Sequence, residues 1–278
     1  MIQGVKARRN HKEAGWAFAG AVGVAGGRAE GYTVAMDKRM HQRVAGLLSL
    51  WCATTYGEGR DMRRYTVRRV PAAALEAIDF SRAAEGRIGQ ARPESSDHRP
   101  ETVFRVLHDG TNLYVRFDVR DRYVRSVQTA YQAPVCTDSC VEFFVRPKAG
   151  QGYFNFEVNA GGTLLLSYVE DPTRTESGLK RSTPVPEAWG RQVVVRSSLP
   201  AVVEPEIAEP LNWHVCYQVP LALFEAFVGD AGRGGAVWRA NFYKCGDKTS
   251  HPHWLAWSPV SALNFHLPEC FGELALEE

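Results

Sequence analysis

The segment from Asn241 to Pro259, NFYKCGDKTSHPHWLAWSP, gathers many side chains that can bind or react. It contains one cysteine, one aspartate, two histidines, two lysines, two tryptophans and one tyrosine. These residue types allow three kinds of site: a zinc site, a catalytic cluster, or a rim that binds a ligand through aromatic and polar groups. The spacing of the side chains and the elements that carry them must distinguish the three.

A zinc site in this segment would use Cys245, His251 and His253. Structural zinc sites are typically marked by close pairs such as C-x2-C, and a His-x-His in a loop is a weaker signal. The pattern therefore favours a strand end followed by a rim loop, with zinc as the alternative. The six cysteines are scattered, and we expect Cys136 and Cys140 to be free thiols.

A catalytic alternative uses Glu142 and Glu157 as the two carboxyls of a glycoside hydrolase. Such chemistry requires a separation of about 5 to 9.5 Å and one raised pKa. The basic residues Arg116 and Arg239 on the same predicted face would favour two ionised carboxylates, which accept hydrogen bonds. Haem held by Met and His is disfavoured because no methionine follows Met62.

Strands with a period of two must position these side chains. The stretches NLYVRFDV (112–119), CVEFFV (140–145) and YFNFEVNA (153–160) alternate apolar residues with polar ones. Turn residues separate such runs, and only Pro220 to Val228 is typical of a short helix. The sequence predicts an all-β fold, a jelly-roll-like antiparallel β-sandwich of about eight to ten strands with one short helix.

The polar positions of these strands form a chemically rich set. Planar side chains that donate and accept hydrogen bonds predominate over the Lys, Thr and Ser typical of a solvated face. The set contains Arg116, Glu142, Asn155, Glu157, Asn159, Arg239, Asn241 and Tyr243. Such groups on rigid strands suit a hydroxyl-rich ligand.

The chain divides by composition at Met62. Residues 1–61 hold ten of the 25 glycines and none of the 15 prolines, and nine basic residues against five acidic ones. We interpret them as a disordered leader, or as the product of a start codon assigned too early. Residues 62–278 form the predicted sandwich. The cysteine usage favours the cytoplasm, while the apolar stretch 44–53 leaves export open.

Three blocks resemble family 9-like carbohydrate-binding modules, in particular their bacterial branch. The blocks are PVCTDSCVEFFV (134–145), YFNFEVNAGGTLL (153–165) and, within 239–277, RANFYKCGDKTSHPHWLAWSPV followed by NFHLPECFGELALE. The resemblance implies a β-sandwich that binds sugars without cleaving them, in the use of polysaccharides. It assigns the strand carboxylate to Glu142, the strand asparagine to Asn159 and an aromatic to Phe265. Cys136 and Glu157 stand where the family has a tryptophan and an arginine.

The alternation of the strands and the resemblance to the family together predict one set of ligand-binding residues. Its members are Arg116, Glu142, Asn159, Arg239, Asn241, Tyr243, Trp254 and Phe265. We expect a saccharide as partner, a monomer, and no cofactor, with a structural calcium left open. The 33 basic and 31 acidic residues argue against nucleic acid, and no stretch has the eighteen or so apolar residues of a membrane span.

Overall fold

The structure is a computed structural model that describes residues 62–278. The predicted leader, residues 1–61, lies outside the described residues. The strands are β1 (Arg64–Arg69), β2 (Gly86–Ile88), β3 (Gln90–Ala91), β4 (Glu101–His108), β5 (Asn112–Asp121), β6 (Val124–Ser126), β7 (Cys140–Arg146), β8 (Tyr153–Asn159), β9 (Leu164–Thr175), β10 (Gly178–Pro184), β11 (Val194–Ser197), β12 (Val203–Ile207), β13 (Leu211–Pro220), β14 (Val237–Cys245), β15 (Trp254–Ala256) and β16 (Gly272–Leu276). The α-helices are α1 (Glu187–Gly190) and α2 (Leu221–Val228).

Two sheets share the first strand. The first sheet has the order β10-β9-β8-β7-β14-β16-β1, and the second continues as β1-β4-β5-β13-β11. Residues 64–67 of β1 pair with β16, and Arg68 and Arg69 pair with β4. Both of these pairings are parallel, whereas the neighbouring long strands β7, β8 and β14 pair antiparallel. The predicted β-sandwich is confirmed, with the correction that β1 is parallel to its neighbours.

The core lies between the sheets and is rich in aromatic rings. Phe242 of the first sheet stacks on Phe104 of the second, with ring centroids 3.6 Å apart. Phe143 stacks on the same Phe242 at 4.8 Å. Each of these residues occupies an inward position of an alternating strand, so the period of two in the sequence follows from burial on one side.

The predicted helix at Pro220 to Val228 is confirmed as α2, which begins at Leu221. Helix α1 was not predicted because it is a single turn of four residues. The described chain has sixteen strands, more than the eight to ten expected. The excess comes largely from strands of two or three residues, such as β2, β3 and β15, which are too short for a visible alternation.

The outer face of the first sheet is covered by residues 258–271, which we call the covering segment. Asn241 fixes its start, because its amide donates to the Ser258 carbonyl at 2.9 Å and its Oδ1 accepts from the Ser258 amide at 2.9 Å. Further along, the hydroxyl of Tyr243 donates to the Phe265 carbonyl at 3.0 Å. This face is therefore a second interior rather than a solvated surface, and it combines these polar groups with an apolar cluster that includes Phe144 and Phe271.

Within residues 62–278, no helix combines the length and the apolar character that crossing a membrane requires.

Candidate functional site

A cleft of about 280 Å³ opens on the outer face of the first sheet, and we call it the carboxyl cleft. Strands β7 and β8 form its floor, and the covering segment and the end of β14 form its walls. Its lining consists of Cys136, Glu142, Phe144, Glu157, Arg174, Cys245, Asp247, Trp254, Leu263, Asn264, Phe265 and His266.

Two glutamates form the floor. Glu142 on β7 and Glu157 on β8 are directly opposite in the strand register, and they are only 3% and 6% exposed. The thiol of Cys245 donates to Glu142 Oε1 at 3.1 Å, and the amide of Asn155 donates to Glu157 Oε1 at 2.8 Å. The cleft therefore presents two adjacent carboxyls whose protein partners are neutral groups.

Burial controls the charge of this floor. Burial raises the pKa of Glu142 well above its usual range, and the adjacent charge of Glu157 raises it further. Burial likewise raises the pKa of Glu157 to about 7, although the hydrogen bond from Asn155 partly opposes the shift. Two such carboxyls do not ionise together readily, so the pair holds a proton near neutral pH. The floor can then both donate and accept hydrogen bonds.

Aromatic side chains from two elements border the cleft. Phe265 of the covering segment stacks on Tyr243, with centroids 4.0 Å apart and an angle of 10° between the planes. Trp254, at the start of β15, donates from its indole nitrogen to Asp247 Oδ1 at 2.7 Å. Both rings are partly exposed, and both are held by a protein contact. They are preorganised surfaces for a flat apolar group.

Charged and amide groups complete the rim. Asp247 follows β14, and its backbone amide donates to the Cys136 carbonyl at 3.0 Å. Burial raises the pKa of Asp247, while the indole of Trp254 partly opposes the shift. On the other side, Arg174 donates to Asn264 Oδ1 at 3.2 Å. The rim thus adds a carboxylate and a guanidinium at separate positions around the floor.

The cleft brings together three of the eight residues that the sequence predicted as ligand-binding: Glu142, Trp254 and Phe265. Tyr243 lies beneath Phe265 with no exposed surface, so it supports that ring. Asn241 is equally buried and anchors the covering segment. The expectation that these two face the ligand is corrected, because the covering segment buries them.

The other three lie elsewhere. Asn159 is buried and donates to Gln128 O and to Asp138 Oδ2, each at 2.9 Å, so it joins loops. The guanidinium of Arg239 donates to the carbonyl of Phe271, and Arg239 does not line the cleft. Arg116 belongs to the second sheet, where its guanidinium pairs with Asp118 at 2.7 Å. Alternation gives a face for each strand but not the sheet to which the strand belongs, which explains this correction.

The zinc alternative through Cys245, His251 and His253 does not match the structure. The ring of His251 stacks on Tyr123 at 3.6 Å, and His253 Nε2 lies 2.7 Å from the ammonium of Lys244 on the inner side of the strand.

The cleft also contains residues that sequence reasoning left out. Arg174 and Asn264 come from a strand end and a loop, which carry no periodic signal.

Comparison with known proteins bears on this geometry. A family model described as "Carbohydrate-binding family 9" matches residues 72–276. The comparison with curated proteins gave no significant match.

The solved structures that are similar to this chain include the following three. One is a protein from Bacteroides uniformis to which carbohydrate binding has been ascribed: it is 29% identical, the match covers 78% of this chain and all of that chain, and the TM-score is 0.67. A carbohydrate-binding module of family 9 from Caldicellulosiruptor kristjanssonii was solved with glucose, and it is 13% identical over 77% of this chain and 96% of that chain, with a TM-score of 0.50. The module from the same organism solved with cellotriose is also 13% identical, over 77% of this chain and 94% of that chain, with a TM-score of 0.52.

Proposed function

Since the chain belongs to carbohydrate-binding family 9, we propose that the carboxyl cleft binds the end of a saccharide chain without cleaving it. The observation that carries the proposal is the combination of partly exposed rings, Trp254 and Phe265, with a floor of buried carboxyls, Glu142 and Glu157. At about 280 Å³ the cleft is at the small end of ligand sites, which suits one sugar ring or a chain end.

The two kinds of group match the two kinds of surface on a sugar. The C–H groups of a pyranose ring pack on an aromatic face, and the rigid rings lose little conformational entropy on binding. Hydroxyls pair with carboxyls and amides, which offer donors and acceptors in fixed planes. Phe265 is rigid because Tyr243 supports it, and the carboxyls are rigid because they lie on paired strands.

The arrangement of the carboxyls supports binding over cleavage. In a glycoside hydrolase the two carboxyls flank the bond that is cleaved. Glu142 and Glu157 instead lie side by side on adjacent strands, so a bound ring meets both from the same side. We propose that both act as hydrogen-bonding groups.

Isothermal calorimetry with glucose, cellobiose and cellotriose tests the proposal, after a glycan array that widens the choice of sugars. Phe265→Ala removes one aromatic wall and should weaken binding by about 1–2 kcal/mol, which is about five- to thirtyfold. Glu157→Gln leaves the shape and removes the carboxyl, and should cost about 1–3 kcal/mol. Arg116→Ala is the matched control, since that residue lies on the second sheet, and it should bind as the wild type does.

The outcomes separate the possibilities. Failure of the wild type to bind any sugar of the array at millimolar concentration refutes the proposal. Loss of binding in Arg116→Ala, with Phe265→Ala unchanged, would move the site to the second sheet. Hydrolysis of the best ligand by the wild type, abolished in Glu157→Gln, would establish the glycoside hydrolase alternative.

A further inference from the structure

Two cysteines from adjacent strands meet beside Glu142, which lines the carboxyl cleft. Cys140 begins β7 and Cys245 ends β14, and the strand register places them directly opposite each other. The two sulfur atoms and one carboxylate oxygen of Glu142 all lie within 4.8 Å of one another. Each of the three side chains is almost completely buried. The strands therefore assemble three potential metal ligands at one point.

The distances suit a tetrahedral cation. Zinc binds thiolate sulfur at about 2.3 Å and carboxylate oxygen at about 2.0–2.2 Å, so two ligands of one zinc ion are roughly 3.5–3.8 Å apart. The three ligand atoms lie within 4.8 Å of one another, so binding requires them to move to that spacing. Cys245 Sγ and Glu142 Oε1 are already 3.1 Å apart, at hydrogen-bond distance.

Packing of apolar side chains explains this cluster less well than a bound cation does. A buried thiol often behaves as a small apolar side chain, and Cys216, in an apolar cluster of the second sheet, is of that kind. Cys140 and Cys245 also pack in an apolar cluster, with Val135, but unlike Cys216 they share their position with a buried carboxyl. Because thiols are weak donors, they offset little of the cost of burying it. A cation would satisfy all three groups together.

The cleft supplies access to two of the three ligands. Cys245 and Glu142 line it, and so does Cys136, whose carbonyl lies 3.8 Å from Cys245 Sγ. A cation arriving from solvent therefore meets these groups without an opening of the sandwich. A water molecule can fill the fourth position.

We propose that Cys140, Cys245 and Glu142 form a binding site for a thiophilic divalent cation of the Zn²⁺ class. Sulfur ligands select such an ion over Mg²⁺ and Ca²⁺, which prefer oxygen. Binding forms two metal–sulfur bonds and one metal–oxygen bond, and the two thiol protons pass to solvent together with any proton on Glu142. The site shares Cys245 with the zinc alternative of the sequence analysis but none of its histidines.

The test uses the full chain, purified under reducing conditions and dialysed against metal-free buffer, without saccharide. It therefore does not depend on the proposed function. Elemental analysis should find about one zinc per chain after addition of Zn²⁺ and a second dialysis. Replacement by Co²⁺ should give thiolate-to-cobalt charge-transfer absorption, which reports sulfur ligation directly.

Variants assign the ligands. Cys245→Ser and Cys140→Ser should each raise the dissociation constant for Zn²⁺ at least tenfold and weaken the charge-transfer band. Cys216→Ser removes a buried thiol of the second sheet and should bind zinc as the wild type does. Cys52→Ser gives the same control for the cysteine outside the described residues. Circular dichroism melting shows which variants are folded.

Three results would overturn the proposal. The first is a wild-type chain that retains no zinc and gives no charge-transfer band. The second is zinc retained unchanged in folded Cys245→Ser. The third is a disulfide between Cys140 and Cys245 in protein isolated with rapid alkylation, since this bond would consume both ligands. If the serine variants do not fold, the cobalt spectrum of the wild type still decides the question.

Discussion

Replacing Asp121 by Asn should strongly destabilise the sandwich, because this buried carboxylate is the counter-charge of Lys244. Both side chains are completely buried, and Lys244 Nζ lies 3.4 Å from Asp121 Oδ2. His98 Nε2 lies 2.7 Å from Oδ1, and the indole of Trp213 donates to Oδ2 at 3.0 Å. Burial alone would raise the pKa of Asp121, but Lys244 and the hydrogen bond from His98 together hold it below its usual range.

The magnitude follows from the cost of an unpaired charge. Asp121→Asn keeps the shape of the side chain but leaves the ammonium of Lys244 in the interior without its carboxylate. Removal of one partner of a buried ion pair typically costs about 3–5 kcal/mol. Domains of this kind are stable by only about 5–15 kcal/mol, so the variant should lose a large share of its free energy of unfolding.

Urea unfolding at pH 7, followed by tryptophan fluorescence and circular dichroism, measures the effect. Asp118→Asn on the same strand is the matched control. The carboxylate of Asp118 is 35% exposed and pairs with Arg105 and Arg116, so its loss should cost less than about 1 kcal/mol. The double variant Asp121→Asn with Lys244→Met removes both charges and should be more stable than Asp121→Asn alone.

Two outcomes would refute this reasoning. A loss of less than about 1 kcal/mol in Asp121→Asn would mean that Lys244 is solvated or neutral without the carboxylate. A double variant whose loss equals or exceeds the sum of the two single losses would mean that the charges do not stabilise each other.

Two further predictions concern acid stability and the leader. Burial, followed by the charges of Lys244 and Arg174 respectively, lowers the pKa values of His253 and His266 from 6.5 to about 3. The unfolded chain therefore binds protons at these two histidines that the folded chain does not, and the histidines alone should lower the free energy of unfolding by about 2–4 kcal/mol between pH 7 and pH 5. The raised pKa values of Glu142 and Glu157 act in the opposite direction, so the measurement uses the double variant Glu142→Gln with Glu157→Gln, and urea titrations that give this variant equal stability at both pH values contradict the prediction. Deletion of residues 1–61 should leave cooperative unfolding and the melting temperature of the sandwich unchanged, and loss of cooperativity in a thermal scan contradicts the predicted division at Met62.

Much of the fold can be predicted from the sequence because burial on one side leaves a period of two. In β7 the residues Val141, Phe143 and Val145 alternate with outward positions, and the structure buries all three between the sheets. The same argument identifies the helix at Leu221–Val228 by its different period. These predictions succeed because each depends on neighbours that lie a few positions apart in the chain.

The site could be predicted only in part. Glu142, Trp254 and Phe265 of the predicted ligand-binding set line the carboxyl cleft. Asn241 and Tyr243 have the right residue types on the right face, yet the covering segment buries them. Nothing local to those strands indicates that residues 258–271 fold back over them. A polar residue at an outward position therefore gives the same sequence pattern whether solvent or another segment covers it.

The sequence by itself determined the alternation of the strands, the sandwich class, the family and the identity of the strand carboxylate Glu142. Only the tertiary structure decided that Arg116 lies on the other sheet, that Glu157 is the partner opposite Glu142, and that Cys245 meets Cys140. The physical reason is that side-chain direction is fixed by the local backbone, whereas strand order and register are fixed by long-range packing and hydrogen bonding. Residues 103 positions apart, such as Glu142 and Cys245, share a site only because the strands that carry them pair in one sheet.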